Sequence, residues 1–339
     1  LGYRFISWMD SFGSGAHLSK RNNIIYRLSK IYHPYKKYWS GSFVDYPLRM
    51  RAAADEWKKY VKGNKDLKLV IMDEPLYFYP LVEYLYELEI PIVALCQNIE
   101  SLSFSQLNCK HQLELFNKEI DLFKKCALVI TISREETFLL KNFNIPAFYL
   151  PYYPVKSVEG RMLRVRERRK NTVKKGFLLL GTVGNKVTFD GMAAVIDFWD
   201  SRKNKIKNEK LLVAGYGTSS LLKVNGSEAI DFLGELSNEK LDDVLSRVRA
   251  MICFQEFGSG ALTRIREMLT AGVPVLANSH AARSYHGFQG LCEFSGFDDL
   301  ERIVLELMSG KLTIQQEDKN MTSSLVAAGL LARIRSLIK

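Results

Sequence analysis

Two kinds of hydrophobic pattern alternate along most of this chain. Short apolar runs, typical of buried β-strands, are separated by longer segments whose apolar residues recur every three or four positions, typical of one face of an α-helix. Strands that alternate with helices in this way are parallel, so the pattern predicts an α/β protein with doubly wound sheets. The predicted strands lie at 3–8, 68–72, 91–95, 128–133, 148–150, 177–180, 211–214, 231–233, 251–254 and 273–277. The predicted helices lie at about 18–31, 48–61, 81–88, 106–123, 135–142, 192–199, 238–246, 261–271 and 323–338.

A basic segment that contains prolines divides this pattern into two halves. Pro151 and Pro154 precede residues 161–175, which contain eight Lys or Arg residues and one acidic residue. Because proline interrupts regular structure and a run of like charges is usually solvated, we interpret the segment as a linker. The sequence therefore predicts a first Rossmann-like domain over 1–153, a basic linker over 154–175 and a second Rossmann-like domain over 176–339.

The stretch over 250–278 contains the clearest candidate for a binding site. Its first apolar run predicts a strand, Gly258-Ser259-Gly260 interrupts it, and the apolar spacing that follows predicts a helix that Gly272 ends. A glycine loop at a helix N-terminus exposes unpaired N–H groups and the positive end of the helix dipole. This arrangement favours a phosphate group.

Two charged residues lie on the polar side of the same predicted helix. At about 100° per residue, Arg264 and Glu267 fall together, away from the apolar stripe. Arg264 would add a forked cation near the phosphate, and Glu267 lies about 4.5 Å further along the axis, within reach of hydroxyls attached to that phosphate. The pair suits a nucleoside diphosphate. The alternative is a surface helix on which the two residues form an ordinary i,i+3 ion pair, worth a few tenths of a kcal/mol.

The stretch resembles the donor-binding motif of GT-B glycosyltransferases, family 4 in particular. In that family a GSG loop, a cation, a glutamate and an AxGxPV ending occur in this order, as do Gly258-Ser259-Gly260, Arg264, Glu267 and 271–275 here. The resemblance implies that Glu267 binds ribose hydroxyls and that Arg264 binds the diphosphate. Many members carry a second glutamate where this chain has Ser259, and Glu256, three residues earlier, is the second catalytic candidate beside Arg264.

The resemblance covers most of residues 90–339 and implies a GT-B architecture, two Rossmann-like domains that face a cleft. It also implies that the last helix crosses back to the first domain. Residues 97–101 resemble the family's HN-[VI]-E-S segment, with Gln97 in place of the usual histidine, and Ser133 matches a serine that follows a later strand. The implied donor-binding residues are Gly181, Gly184 and Lys186 in a glycine loop, Gly234, Glu235 and Leu236 near the base, and Gly258, Ser259, Gly260 and Glu267.

Four residues are candidates for the acceptor side of the first domain. Asp73 and Glu74 follow a predicted strand, and carboxylates at the carboxyl end of a parallel strand point into the cleft of an open α/β sheet. Asn98 and Glu100 belong to the segment that resembles the family motif. No D-x-D pair occurs in the sequence, so we expect no metal and no cofactor, with Arg264 and the helix N-terminus neutralising the leaving diphosphate.

Composition excludes several classes of protein. Of the 339 residues 47% are hydrophobic and 25% are charged, which is typical of a soluble protein, and no apolar run approaches the roughly 18 residues that span a membrane. The N-terminus lacks the apolar core of a signal peptide, although the absence of an initial methionine leads us to expect that residues precede Leu1. Five cysteines without a C-x-x-C pair are typical of free thiols, so we expect a cytoplasmic protein without a zinc site.

The net charge of +11 is concentrated in two zones, one in the linker and one within residues 1–60. The N-terminal zone interleaves basic residues with tyrosines and a tryptophan, which suits the anionic inner face of a membrane and a lipid-linked acceptor. A solvated helix with its aromatic side chains turned inward is the alternative, and no nucleic-acid motif accompanies the charge. The zone comprises Lys20, Arg21, Tyr26, Arg27, Lys30, Tyr32, Tyr35, Lys36, Lys37, Tyr38 and Trp39.

The sequence therefore predicts a hexosyltransferase of polysaccharide biosynthesis, with a UDP- or GDP-linked donor and a glycan, lipid-linked or protein acceptor. A nucleotide-sugar epimerase and a non-catalytic GT-B partner subunit remain alternatives, because Gln97 and Ser259 depart from the family pattern. A third alternative is an NAD-dependent oxidoreductase. Residues 215–220 form a G-x-G-x-x-S loop after a strand, and Glu235 follows eighteen residues past its second glycine.

Overall fold

The computed structural model describes residues 57–64, 66–73, 75–103, 109–207, 209–223, 227–315 and 323–338. The chain divides into two compact units. One contains the described residues up to Leu150 together with the C-terminal segment from Val326, and the other runs from Pro151 to Leu325. The strand predicted at 3–8, the helix predicted at 18–31, most of the helix at 48–61, the basic N-terminal zone and Glu74 lie outside the described residues.

The described part of the first unit is built on a four-stranded parallel sheet in the order β1-β2-β3-β4. Its strands are β1 (Val70–Asp73), β2 (Ile92–Cys96), β3 (Leu128–Thr131) and β4 (Ala147–Tyr149). Residues 57–63 are helical and Pro75–Phe78 form a 3-10 helix. The α-helices that follow are α1 (Tyr79–Glu87), α2 (Glu100–Ser103), α3 (Cys109–Phe123) and α4 (Arg134–Asn142).

Helices cover both faces of this sheet, which explains why its strands are continuous apolar runs and do not alternate with polar residues. On one face, Leu81, Val82 and Leu85 of α1 are buried against the sheet. On the other face, the last helix (Ser323–Leu337), numbered α11 below, contributes Leu330, Ile334 and Leu337 to a cluster with strand residues such as Val93 and Ile130. The spacing i, i+4, i+7 places these three residues on one side of that helix.

The second unit contains a six-stranded parallel sheet in the order β10-β9-β8-β5-β6-β7. Its strands are β5 (Phe177–Leu180), β6 (Leu211–Ala214), β7 (Ile230–Gly234), β8 (Ala250–Cys253), β9 (Val275–Asn278) and β10 (Leu291–Phe294). Its helices are α5 (Lys156–Lys170), α6 (Lys186–Ser201), α7 (Asn238–Arg247), α8 (Thr263–Thr270), α9 (Ser279–Ala282) and α10 (Phe297–Met308), with a 3-10 helix at Thr218–Lys223.

The strand order reverses direction between β5 and β8, the two strands at the centre of this sheet. From β5 the chain proceeds outward to β6 and β7, then returns to β8 on the other side of β5 and proceeds to β9 and β10. The loops that leave the carboxyl ends of β5 and β8 therefore diverge. A crevice at such a switch point is where open α/β sheets bind their ligands.

The segment predicted as a basic linker contains a helix of the second unit instead. Helix α5 places Met162 and Val165, three residues apart, in the core against α7 and α8. Arg169, which is also buried, donates hydrogen bonds to the carbonyl oxygens of Gly272 and Val248 at 2.7 and 2.9 Å. The linker prediction was wrong because the many charged residues in 161–175 outweighed the two apolar residues at helical spacing. One of those charged residues, Arg169, is itself buried.

Candidate functional site

The loop after β5 lies at the centre of the candidate site. Gly181 leads from the strand into residues 182–185, and Asn185 begins α6 by accepting hydrogen bonds from the backbone N–H groups of Val187 and Thr188 at 2.9 and 3.4 Å. A Cβ atom added to Gly181 would lie 2.7 Å from the Thr188 side chain and 2.8 Å from that of Met192. The helix therefore packs closely on the strand end, and a larger residue at position 181 would require these side chains to move. Helix α6 starts six residues before the predicted position because Asn185 is an effective N-cap.

The loops after β6 and β7 lie against this first loop. Gly215, at φ +126°, donates a backbone hydrogen bond to the oxygen of Gly234 at 2.8 Å, and a Cβ added to it would overlap the carbonyl of Gly181. Val183 donates to the oxygen of Tyr216 at 3.1 Å. Residues 234–236 are thereby brought to the same edge of the sheet as Gly181. Within them Glu235 is exposed and Leu236 packs partly against the core.

The loop after β8 is held by residues that the sequence analysis did not identify. The Asn278 side chain accepts a hydrogen bond from the Gln255 backbone N–H at 3.0 Å and donates to the Gln255 oxygen at 2.6 Å. Arg283 donates to the carbonyl oxygen of Ser259 at 2.7 Å, and His280 Nε2 lies 3.1 Å from that of Gly258. Asn278 is the last residue of β9, and His280 and Arg283 follow it, so the end of the next strand holds the glycine loop in place. Their only sequence signal was their position just past a strand end.

Arg264, in the first turn of α8, directs its side chain to the switch point. Its Nη2 lies 3.6 Å from Cys253 Sγ at the end of β8, and its Nη1 lies 3.6 Å from the position that a Cβ of Gly181 would occupy. Its Nε is buried and has no hydrogen-bond partner among the described residues. Buried polar groups are nearly always hydrogen-bonded, so an unsatisfied donor calls for an explanation, and an anion bound beside the guanidinium is one.

The N-terminus of α8 adds to the positive potential of the Arg264 guanidinium. No side chain caps the helix at Leu262, so no capping side chain satisfies the N–H groups of its first turn. Gly258 and Gly260, both with positive φ, shape the loop in front of it. Arg264 and the helix terminus together can bind a phosphate or diphosphate.

Glu267 lies one turn further along α8 and does not pair with Arg264. Its Oε1 accepts a hydrogen bond from the Tyr152 hydroxyl at 3.1 Å. Burial, followed by the Glu267 charge, raises the pKa of Tyr152 to about 12, so the tyrosine stays protonated and remains the donor. The described structure therefore does not support the alternative of an ordinary Arg264–Glu267 ion pair.

Arg266, the residue directly before Glu267, is buried, which the helical pattern did not predict. It is 7% exposed, and its guanidinium lies over the rings of Tyr153 and Phe288, with 5.2 and 5.4 Å to the centroids. Such cation–π contacts allow an arginine to enter an apolar setting. Arg266 therefore contributes to packing and Arg264 to the polar edge.

Two other donor-side candidates are exposed at this edge. Lys186 forms an ion pair with Asp190 one helical turn away, at 2.6 Å, with its side chain 61% exposed. Glu256 is exposed on the loop that precedes Gly258. An exposed i,i+4 pair is worth only about 0.3–0.5 kcal/mol, so Lys186 can exchange Asp190 for a bound anion at little cost.

In the first unit, two buried glutamates fix the segment that contains Asn98 and Glu100. Both carboxylate oxygens of Glu119 accept backbone N–H groups, of Glu100 and of Ser101, each at 2.9 Å, and Glu136 Oε1 accepts that of Ile99 at 2.9 Å. Burial raises the pKa of Glu119 to about 7. These contacts hold the start of α2 at the carboxyl end of β2. Ser133, singled out from the sequence, caps α4, which carries Glu136.

Asp73 is exposed at the carboxyl end of β1, paired in register with Leu95 of β2. Asp73 ends β1, and Asn98 and Glu100 follow the neighbouring parallel strand β2, so all three lie at one edge of the first sheet. Among the described residues, no group of three or more His, Cys, Asp or Glu side chains is placed to hold a metal ion. No helix in the described ranges is long and apolar enough to cross a membrane.

The loop that suggested an NAD-dependent oxidoreductase does not have the surroundings of a dinucleotide-binding loop. A dinucleotide-binding fingerprint requires a glycine loop that opens an α-helix. The loop at Gly215 instead leads into the 3-10 helix Thr218–Lys223, and β6 is not at the switch point. The described structure therefore provides no helix N-terminus for a dinucleotide pyrophosphate at this loop.

No protein-family model matches the sequence, and no curated protein matches it. Solved structures match its fold. HepE from Anabaena, in complex with UDP, has a TM-score of 0.61 at 10% identity, over 84% of this chain and 82% of that chain. An α,α-trehalose 6-phosphate synthase from Burkholderia multivorans has a TM-score of 0.55 at 11% identity, over 94% and 80% of the two chains. A protein from Listeria monocytogenes, provisionally described as a UDP-N-acetylglucosamine 2-epimerase, has a TM-score of 0.50 at 12% identity, over 85% and 79%.

At these identities the likeness establishes the fold. The two parallel sheets with interleaved helices match GT-B proteins, which confirms the α/β fold class predicted from the sequence. Membership of family 4 stays a prediction.

Proposed function

We propose that this protein is a glycosyltransferase that resembles family 4 and takes a sugar from a nucleoside-diphosphate donor bound by its second unit. The observation that carries the proposal is Arg264. Its guanidinium lies at the switch point of the sheet, between the ends of β5 and β8, with a buried Nε that no described residue satisfies. A diphosphate supplies acceptor oxygens for a guanidinium in this position.

The other donor-side residues have roles that follow from their positions. The N-terminus of α8 and the loop at Gly258-Ser259-Gly260 receive the diphosphate with Arg264, and the first glycine loop, with Gly181, Gly184 and Lys186, faces it. Glu267 accepts hydrogen bonds from the ribose, and residues 234–236 receive the base. Charge grows on the diphosphate as the glycosidic bond breaks, and Arg264 stabilises that charge without a metal. Glu256 is exposed close by and is the candidate for contact with the transferred sugar.

We place the acceptor at the first unit, at the edge where Asp73 ends β1 and where Asn98 and Glu100 follow β2. Glu119 and Glu136 fix the backbone of that edge, which keeps its polar groups oriented. The basic and aromatic zone within residues 1–60 supports a lipid-linked acceptor at the inner face of a membrane, as in polysaccharide biosynthesis.

The test is a screen of UDP- and GDP-sugars with lipid-linked and soluble acceptors, followed by mass spectrometry. A glycosyltransferase releases UDP or GDP in proportion to a product whose mass exceeds that of the acceptor by one sugar residue. Binding of a nucleotide without turnover of any donor would indicate a non-catalytic subunit.

A second candidate function is a nucleotide-sugar epimerase, because a protein described in that way shares the fold. Such an enzyme needs no acceptor. It converts the donor into an isomer of identical mass, which nuclear magnetic resonance of the sugar nucleotide detects. Isomer formation without an acceptor would replace the transferase proposal.

A further inference from the structure

Tyr152 and Tyr153, near the start of the second unit, contact the helix that carries Arg264 and Glu267. The Tyr152 hydroxyl donates to Glu267 Oε1 at 3.1 Å, and the ring of the next residue, Tyr153, lies over the guanidinium of Arg266 at 5.2 Å. Two adjacent tyrosines thus contact two adjacent residues of α8 from more than one hundred positions away in the sequence.

The residue next to Tyr152 in the chain is restrained by contacts that do not involve Glu267. Arg266 is buried and also contacts Phe288, so Tyr153 rests on a fixed group. Pro154 restricts the backbone of the residue before it to extended conformations. Tyr152 is therefore held by its neighbours and presents its hydroxyl to the carboxylate.

The orientation of the Glu267 carboxylate depends on Tyr152. The hydroxyl is the only hydrogen-bond partner of the Glu267 side chain among the described residues, and it occupies one of two carboxylate oxygens. A carboxylate has about four acceptor sites, so Oε2 and the second lone pair of Oε1 can still accept hydroxyl groups. Holding one oxygen selects a rotamer of a side chain that otherwise has several.

We propose that Tyr152 is a positioning residue that orients Glu267 toward the two ribose hydroxyls of the nucleotide. The inference depends on the proposed function, since it assigns to Glu267 the recognition of the ribose. Tyr152 acts through Glu267 and does not touch the reacting atoms.

The test compares Tyr152→Phe with Tyr153→Phe, the same loss of a hydroxyl at the neighbouring residue. Dissociation constants are measured by calorimetry for UDP and GDP and for their 2′,3′-dideoxy analogues, which lack both ribose hydroxyls. We expect Tyr152→Phe to weaken binding of the ribonucleotide by about 2- to 12-fold, the range of one net hydrogen bond, and to leave binding of the dideoxy analogue unchanged. Tyr153→Phe should change neither.

A double-mutant cycle with Glu267→Ala, which removes the acceptor of the Tyr152 hydroxyl, separates positioning from a general effect on the loop. If Tyr152 acts through Glu267, the double variant binds the ribonucleotide no more weakly than Glu267→Ala alone. Equal losses for ribonucleotide and dideoxy analogue, additive losses in the cycle, or no loss in Tyr152→Phe would overturn the inference while the parent still binds UDP or GDP. A parent that binds neither nucleotide would overturn the proposed function, and the inference with it.

Discussion

The substitution Gly191→Ala tests the packing that holds the two central loops together. Gly191 lies inside α6, where the helix crosses the end of β8, and a Cβ added to it would approach the carbonyl oxygen of Phe254 closer than 3.0 Å. The carbonyl belongs to the backbone and the backbone also fixes the direction of the Cβ, so neither can rotate away, and the helix or the loop after β8 must move. Overpacking of this kind costs about 1–3 kcal/mol, whereas Gly→Ala in a helix interior gains about 1 kcal/mol.

The matched control is Gly160→Ala in the interior of α5, where the nearest atom is Arg164 Nη1 at 3.8 Å. The free energy of unfolding of the control should rise by about 1 kcal/mol from helix propensity alone. That of Gly191→Ala should fall by about 2 kcal/mol, because a clash at the upper value of about 3 kcal/mol is offset by the same gain in propensity. Urea unfolding followed by tryptophan fluorescence measures both, since Trp199 is buried in α6 beside Phe177. Because the clash moves both loops, binding of UDP or GDP should weaken as well. Equal urea midpoints for the two variants would refute the described packing of α6 on β8.

Three further predictions concern single side chains. Glu267→Gln should weaken binding of UDP or GDP by about 1.5–3 kcal/mol, because charge-assisted hydrogen bonds are lost, and should leave the urea midpoint unchanged. Glu306→Gln is the control. Equal calorimetric binding by the parent and Glu267→Gln would contradict the assignment of Glu267 to the ribose. Arg169→Met should lower the free energy of unfolding by at least about 2 kcal/mol, because it leaves the carbonyls of Gly272 and Val248 unsatisfied. Arg168→Met, on the exposed side of the helix, should not. Equal urea midpoints for the two variants would contradict the interior role of Arg169. Burial raises the folded-state pKa of Glu119 from its ordinary value of 4.5 to about 7, so this group makes the free energy of unfolding fall as the pH rises from 4.5 to about 7. Glu119→Gln should remove that component in urea titrations at pH 5 and pH 8, and identical pH dependence in parent and variant would contradict it.

The fold class could be predicted because buried parallel strands and amphipathic helices leave different periods in the sequence. Continuous runs such as 128–131 and 177–180 became strands inside the first and the second sheet, respectively. Leu262, Ile265, Met268 and Leu269 became the buried or partly buried side of α8 and its N-cap. The position of Arg264 on the polar side followed from the same period. These features are local, so a window of a few residues contains them.

Features that depend on contacts between distant residues could not be predicted. Helix α5 was missed because eight basic residues in 161–175 outweighed Met162 and Val165 in any local reading. The burial of Arg266 depends on Tyr153 and Phe288, and the restraint on the glycine loop depends on Asn278 and Arg283. None of these partners is near its counterpart in the sequence.

The rate of nucleotide release by Arg264→Ala tests the central claim most directly. UDP and GDP released from the sugar donors are measured for the parent, for Arg264→Ala and for Arg247→Ala, an exposed arginine at the end of α7, which precedes the amino end of β8. If Arg264 stabilises charge on the leaving diphosphate, its removal lowers the rate by about 10²-fold or more, with a smaller effect on donor affinity, and the control keeps the parent rate. Equal rates for Arg264→Ala and the parent would contradict the account.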